Sequence, residues 1–345
     1  MKCLCIGDVH VKVSNVIEID QMIQKLVELA SKISPNFIVV LGDVLDRHAT
    51  IHVSCLIRAE KLIMSLSKIA PTFVLVGNHD RPNNSNFLTE EHPFNAMKLW
   101  PNTYIIDKVF SYVFNGAQIL EADQKANTDD YRFIFTPYVP PGRLDEALKT
   151  ISNPYQDVTC YFAHQEIVGA KMGAIVSTEG DNWPEDNALM ISGHIHDYDF
   201  LQNNMVYVGV PLMHSFGDKP DKTVSVFTFT EKEWQQERVD LGLIKKITIY
   251  LTPEQVINYS PPKDKQVKLV IKGDEASIKA IIKLEKIQQL KKQGLKVVFK
   301  TQITEMATTT ITPKMSFRDR LVSVLKEVDS NSLIWFNKIF IDQIS

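Results

Sequence analysis

The chain has 345 residues, 44% of them hydrophobic and 23% charged, with a formal net charge of −3. That composition fits one large globular domain with an appendage, or two domains, and excludes a fibrous or low-complexity chain. No apolar run reaches the roughly 18 residues of a membrane span, and "KCLCIGD" meets Asp8 too early to read as a secretory signal. Cys3, Cys5, Cys55 and Cys160 are too few and too scattered for a disulfide framework, so a reducing, intracellular and cytoplasmic setting without membrane is expected.

The first 80 residues alternate between short apolar runs and amphipathic stretches. "CLCI", "FIVVL" and "TFVLV" read as buried strands. "VIEIDQMIQKLVELASKI" and "CLIRAEKLIMSLSKI" read as helices, with apolar stripes through Ile19, Met22, Ile23, Leu26 and Leu29 and through Leu56, Ala59, Ile63 and Leu66. Such alternation predicts βαβ units and a parallel sheet covered on both faces. "TYIID", "VFSYVF", "AQIL" and "RFIFTPY" are short and close together, as in antiparallel strands. Further strands are expected at "VTCYFAH", "ALMISGH", "MVYVGVP", "TVSVFTF" and "ITIYL", with a long surface loop over 165–188. The class is a two-sheet, layered α/β sandwich.

"NYSPPKDK" (258–265) reads as a linker, since two prolines resist both helix and inner strand. It predicts domains at 1–257 and 258–310, with a helical segment over 311–345. "QVKLVIKG", "EASIKAIIKLEKIQQLKKQG" and "KVVFKT" form a strand–helix–strand unit. Residues 261–300 hold eleven lysines against four acids, leaving the first 260 residues acidic. An acidic body can still hold a polyanion if cations occupy its cleft and a basic segment lies beside it. "SFRDRLVSVLKEV" places Phe317, Leu321, Val324, Leu325 and Val328 on one helical face, with Ser316 and Asp319 spaced as a capping box.

Every unusual polar cluster follows a predicted strand: Asp8 and His10 in "GDVH", Asp43 and Asp46 in "GDVLDR", Asn78 and His79 in "GNHD", His164 in "AH", and His194 and His196 in "GHIH". Carboxyl ends of strands in an α/β sheet converge on one crevice, so the clusters can share a site although they run from Asp8 to His196. Two aspartates, an asparagine carbonyl and several imidazoles suit Mn, Fe or Zn better than Ca or Mg. They are too many for one ion. A pair about 3.5–4 Å apart needs a bridging carboxylate and suits in-line attack on a phosphate ester. Taken singly, a histidine near a strand end is most simply a structural residue, and His48, His52, His92 and His214 are read that way.

The ordered motifs D-x-H, G-D-x-x-D-R, G-N-H-D, H and G-H-x-H resemble those of the calcineurin-like metallophosphoesterase superfamily. The resemblance implies a four-layer sandwich of two mixed β-sheets flanked by helices. It implies that Asp8, His10 and His196 hold one divalent ion and Asn78, His164 and His194 a second, with Asp43 as the bridge. His79 would face the scissile phosphate as the catalytic residue, stabilising charge or protonating the leaving oxygen. Asp46 and Arg47, with Asp80, are read as supports that orient the loop behind Asp43, against the alternative that Asp46 and Arg47 form a simple surface ion pair. Asp80 after His79, and His48 after Arg47, depart from the pattern of the Ser/Thr protein phosphatases. "VYVGVPLMHSFGDK" (Val206–Lys219) resembles the corresponding stretch of the SbcD/Mre-type DNA double-strand-break nucleases. That branch implies Mn²⁺, DNA exonuclease and endonuclease action, a small α/β capping domain, a homodimer, and a C-terminal helical element that docks an SbcC/Rad-like coiled-coil ATPase. Lys279, Lys283, Lys291 and Lys292 are the expected DNA contacts, against the alternative of a solvated helix face. The alternatives for the whole chain are a phosphodiesterase or phosphatase of small nucleotides, and a mainly architectural DNA-clamping subunit.

Overall fold

The computed structural model describes residues 1–301 apart from Ala117, Ala126, Ala174 and Lys232. The chain opens with β1 (Lys2–Ile6), α1 (Val16–Ile33), β2 (Phe37–Val40), α2 (Val53–Ser67), β3 (Thr72–Leu75) and β4 (Thr103–Ile106). The four strands lie parallel in that order. Side chains of β1 alternate between two cores. Leu4 and Ile6 meet Ile19, Met22 and Leu26 of α1 and Ala59 and Ile63 of α2. Cys3 and Cys5 face the opposite way, toward Phe37, Phe73, Phe135 and Phe162. Burial on both faces is why the strand is apolar at successive positions. The four cysteines are free and buried. Burial pushes the Cys3 and Cys160 thiols up, away from reactive thiolate, so they act as core residues.

The chain then crosses to a second sheet through β5 (Phe110–Asn115), β6 (Gln118–Glu121) and β7 (Tyr131–Phe135), followed by α3 (Leu144–Leu148) and β8 (Cys160–Ala163). A short ribbon, β9 (Lys171–Met172) with β10 (Ile175–Val176), precedes β11 (Leu189–Ser192), β12 (Asp199–Gln202) and β13 (Met205–Tyr207). The sheet order is β12-β13-β11-β8-β7-β5-β6. β14 (Val224–Phe229) and β15 (Trp234–Val239) return to the first sheet, β14 pairing antiparallel with β1. Two mixed sheets thus meet across an aromatic core in which the Phe73 and Phe135 rings stack at 4.2 Å. α1 and α2 cover one outer face. α3 and the 165–188 segment cover the other, around Tyr161 and Trp183. This is the expected layered sandwich.

Two local expectations are corrected. Thr103–Ile106 pairs in parallel with β3 and completes the first sheet, rather than starting an antiparallel group. The 165–188 stretch is not a plain surface loop. It contains the ribbon, buries Ile167, Ala170 and Trp183, and is anchored by the Asp181 carboxylate accepting from Leu144 N–H at 3.0 Å.

A third sheet follows: β16 (Lys245–Leu251), α4 (Pro253–Ile257), β17 (Lys265–Gly273), α5 (Glu275–Ile282), α6 (Glu285–Lys292) and β18 (Lys296–Thr301). Its three strands are parallel, in the order β16-β17-β18. The small sheet therefore reaches back across the double-proline connector, because "ITIYL" pairs with β17 and not with either sheet of the sandwich. The single helix expected after β17 is two. A continuous helix with Ile278 and Ile281 inward would next turn Glu285 and Gln288 inward. The break at Lys283 and Leu284 resets the phase so that Ile287 and Leu290 are buried instead. The segment over 311–345, with Ser316, Asp319 and the stripe from Phe317 to Val328, lies outside the described residues, as does 302–310. Among the described residues no helix is long and apolar enough to cross a membrane.

Candidate metal centre

The strand ends bring the predicted ligands into one pocket. Asp8, His10 and His196 form one set with ligand atoms close enough for a single ion, and Asp43, His164 and His194 form another. His10 Nε2 lies 3.0 Å from His196 Nε2, and Asp8 Oδ2 lies 4.0 and 3.9 Å from those two rings. On the other side Asn78 Oδ1 is 3.0 Å from His164 Nε2 and 3.1 Å from His194 Nδ1. Asp43 stands between the sets, its Oδ2 3.6 Å from His10 Nε2 and 3.4 Å from His164 Nε2.

The backbone that carries these groups is held under strain. His10, Asp43 and His194 have φ of 45, 46 and 77°, left-handed values that β-carbon-bearing residues seldom adopt. Val9 and His10 N–H donate to the Asp43 carbonyl, and Asn15 Nδ2 donates to the His10 carbonyl at 3.0 Å. His194 N–H donates to the Asp8 carboxylate. The motifs are therefore fastened to one another and not only to their strands.

The glycine of each motif has a steric reason. A β-carbon at Gly77 would lie 2.2 Å from Asp43 Oδ1, and one at Gly193 would lie 2.6 Å from Asp8 Oδ1. Neither distance is tolerable, so each ligand loop needs a bare backbone beside it. Gly77→Ala is expected to displace Asp43 and to weaken divalent-metal affinity about 10- to 100-fold, the range seen when groups supporting ligands are lost. Gly217→Ala, whose added carbon meets Ser215 Oγ at 3.6 Å, is the control. Calorimetric Mn²⁺ titration checks this. A Gly77→Ala isotherm overlaying that of the parent chain would refute the steric account.

Asp80 braces the site without joining it. Its carboxylate accepts from Gly77, Val44 and Leu45 N–H at 3.0, 3.2 and 2.8 Å, stapling the GNHD turn to the GDVLD turn. Burial, and then the nearby Asp43 charge, push it up to about 7. Asp46 accepts from Lys12 Nζ at 3.3 Å, and its carbonyl lies 2.9 Å from His79 Nδ1. Arg47, expected to orient the loop behind Asp43, is exposed and has no ion-pair partner among the described residues. The buried cation beside this turn is Arg81, which donates to the Tyr138 carbonyl at 2.6 Å and lies over its ring. Sequence reading missed Arg81, and nothing but its position after GNHD pointed to it.

Electrostatics show that the pocket demands positive charge. Burial pushes the Asp8 carboxyl up to about 7; His164 opposes that shift and Asp43 adds to it. Burial would lower His164, yet Asp43 and Asp8 carry it up to about 9. Burial would raise Asp43, but His164, His10 and His79 hold it well below the usual carboxylate range. His164 Nδ1 lies 2.7 Å from the Leu41 carbonyl, which makes it the donor and turns Nε2 toward Asn78 Oδ1 and Asp43 Oδ2. Both of those oxygens are acceptors, so without metal Nε2 meets them carrying a proton, and a bound cation would take that proton's place. The mixed O/N donor set fits transition-metal ions.

Two histidines read as structural stand against the cluster. His48 stacks on His79 at 4.6 Å and 19°, and its Nδ1 lies 3.2 Å from the Arg81 carbonyl. The His214 ring lies 5.2 Å from that of His10, and burial and then His196 push it down to about 3. His52 caps α2 and His92 pairs with Asp107, as structural readings require. A cleft of about 560 Å³ opens beside His194 and His196, lined by Lys171, Asp197, Lys219 and Lys222. Lys279, Lys283, Lys291 and Lys292 are exposed on the small unit. None of them pairs with a residue of the cluster among the described residues, and Lys279 pairs with Glu275.

A two-sheet sandwich with two adjoining ligand sets and a carboxylate between them marks a metal-dependent phosphoesterase. The calcineurin-like phosphoesterase family model matches residues 1–198, and the chain belongs to that family. It is 38% identical over 303 residues to "Putative phosphoesterase 078R" of Invertebrate iridescent virus 3, covering 86% of this chain and 83% of that one. It is also 38% identical over 290 residues to "Putative phosphoesterase 244L" of Invertebrate iridescent virus 6, covering 82% and 97%. Among solved structures, "GAP50 the anchor in the inner membrane complex of Plasmodium" aligns at TM-score 0.45 and 14% identity, over 70% of this chain and 84% of that one.

Proposed function

We propose that this phosphoesterase is a DNA nuclease of the SbcD/Mre type, hydrolysing phosphodiester bonds with two Mn²⁺ ions and working with a coiled-coil ATPase of the SbcC/Rad-like class, as a homodimer. The observation that carries the reading is the pair of adjoining ligand sets with Asp43 Oδ2 between His10 and His164 and with His79 beside them. The DNA assignment draws on the resemblance of Val206–Lys219 and on the cleft next to His194 and His196, lined by Lys171, Lys219 and Lys222 together with Asp197 and Asp218.

Asp8, His10 and His196 would hold one ion, and Asn78, His164 and His194 the other. Two divalent ions supply an activated water nucleophile at neutral pH and neutralise charge on the phosphate. The chain's own residues set the geometry. His79 N–H donates to Asp43 Oδ1 at 2.8 Å, which leaves Oδ2 to face both ligand sets. His79 Nδ1 donates to the Asp46 carbonyl, so Nε2 looks into the pocket, 4.0 Å from Asp43 Oδ2. From there a protonated Nε2 can hydrogen-bond a phosphate oxygen and pass its proton to the departing sugar oxygen. Stacking on His48 keeps the ring in that orientation.

The test is hydrolysis of linear DNA and of bis(4-nitrophenyl) phosphate with Mn²⁺, each with and without chelator. Both substrates should be cleaved, and chelator should stop both. Cleavage of the small diester with DNA left intact would overturn the nuclease assignment in favour of a small-nucleotide phosphodiesterase.

A further inference from the structure

The three strands of the small sheet, β16, β17 and β18, contain seven lysines and no acid. One face is covered: Ile247, Ile249, Val267, Leu269, Ile271, Val297 and Phe299 pack under α4, α5 and α6. Alternation turns the remaining residues to the other face, which is free of helices among the described residues. Those are Lys246, Lys268, Lys272, Lys296 and Lys300, with Thr248, Tyr250, Gln266, Val270 and Val298 between them.

The register sharpens this. Lys268 lies directly opposite Lys296, and Lys272 opposite Lys300. Adjacent strands are about 4.8 Å apart, and like charges set opposite one another destabilise a sheet. A face selected for stability alone would alternate signs. Instead the helix surface does so, with Asp274, Glu275 and Glu285 set among its lysines. Tyr250 is 59% exposed on the lysine face, with Lys272 Nζ over its ring at 4.5 Å. Lysines interleaved with an exposed aromatic ring are what a polynucleotide strand binds.

The face also points the right way. At its near end Lys246 N–H donates to Met213 Sδ, and Lys246 Nζ reaches the His214 carbonyl at 3.5 Å. Gln266 Nε2 donates to Glu18 of α1. The His214 ring in turn lies 5.2 Å from that of His10 and 5.6 Å from that of His196. From Gln266 to Lys272 the face extends about 20 Å away from the cluster, at roughly 3.3 Å per residue.

We propose that the helix-free face of the β16-β17-β18 sheet is a track for the phosphate backbone of a nucleic-acid strand, leading to the metal cluster, with Lys268, Lys272, Lys296 and Lys300 as its phosphate contacts. This rests on the nuclease reading and moves its DNA contacts from the helix lysines to the sheet lysines. The test compares the full chain with the quadruple variant K268Q/K272Q/K296Q/K300Q and with the helix variant K279Q/K283Q/K291Q/K292Q. Binding of a fluorescein-labelled single-stranded oligonucleotide is followed by anisotropy in chelator at several salt concentrations. The sheet variant should bind about a hundredfold more weakly near 0.1 M salt, and its log–log salt slope should fall by about 3. The helix variant should keep both. Hydrolysis of bis(4-nitrophenyl) phosphate should be unchanged in both, and the thermal midpoint of the sheet variant should be equal or higher. Equal losses in the two variants, an unchanged affinity in the sheet variant, or a lowered thermal midpoint there would each overturn the proposal. Failure of the nuclease reading is seen separately, as an oligonucleotide bound but never cut.

Discussion

Asp43→Asn is expected to abolish two-metal binding and to lower phosphodiester hydrolysis by at least about a thousandfold. Asp43 Oδ2 lies 3.6 Å from Nε2 of His10 and 3.4 Å from Nε2 of His164, one from each ligand set, and the ions' charge stabilisation is worth several kcal/mol. The substitution is conservative for the fold. An asparagine Oδ1 can still accept from His79 N–H, the contact made at 2.8 Å in the native turn. What disappears is the negative charge at Oδ2. A second readout is independent of turnover. Asp43 is the largest favourable influence holding His164 up to about 9, so without metal the substitution should bring the His164 titration down, as followed by NMR. Asp8 and Asp80, both pushed up in part by the same charge, should titrate lower. Full metal stoichiometry and undiminished activity in this variant would remove Asp43 from the bridging position.

His79→Ala should lower kcat by about 10²- to 10⁴-fold, the range for a positioned general acid, while leaving metal content intact. The geometry makes the second half of that statement informative. His79 also stands close enough to His10 and Asp43 to be read as a ligand. Its Nε2, however, is 4.0 Å from Asp43 Oδ2, longer than the His10 and His164 approaches, and its side chain is one-third exposed. A ligand role predicts lost metal, whereas an acid role predicts retained metal and a deficit that depends on the leaving group. Nitrophenolate needs little protonation, so the deficit should be small on bis(4-nitrophenyl) phosphate and large on DNA, whose sugar oxygen leaves poorly. Equal deficits on the two substrates would argue against proton donation.

The clustering of these side chains was legible because each sits just beyond a strand, and the strands declare themselves by apolar runs such as Cys3–Ile6 and Phe37–Val40. Helix α1 was legible to the residue, since its stripe has no competing phase. The supports were less so. Asp80 works through three backbone N–H groups of two loops, which no side-chain pattern announces. His48 and His214 looked like stray histidines, because ring-to-ring contact across 31 and 204 positions leaves no local trace. The helix break at Leu284 was readable in hindsight from Glu285 and Gln288 at the inward phase. The lysine face was hidden by a boundary drawn at the prolines, which separated β16 from the strand it pairs with.

The most direct measurement is anomalous diffraction from crystals grown in manganese. The account predicts two peaks about 3.5–4 Å apart with Asp43 between them, one contacted by Asp8, His10 and His196 and the other by Asn78, His164 and His194. A single peak, or manganese bound elsewhere with these side chains bonded only to one another, would contradict it.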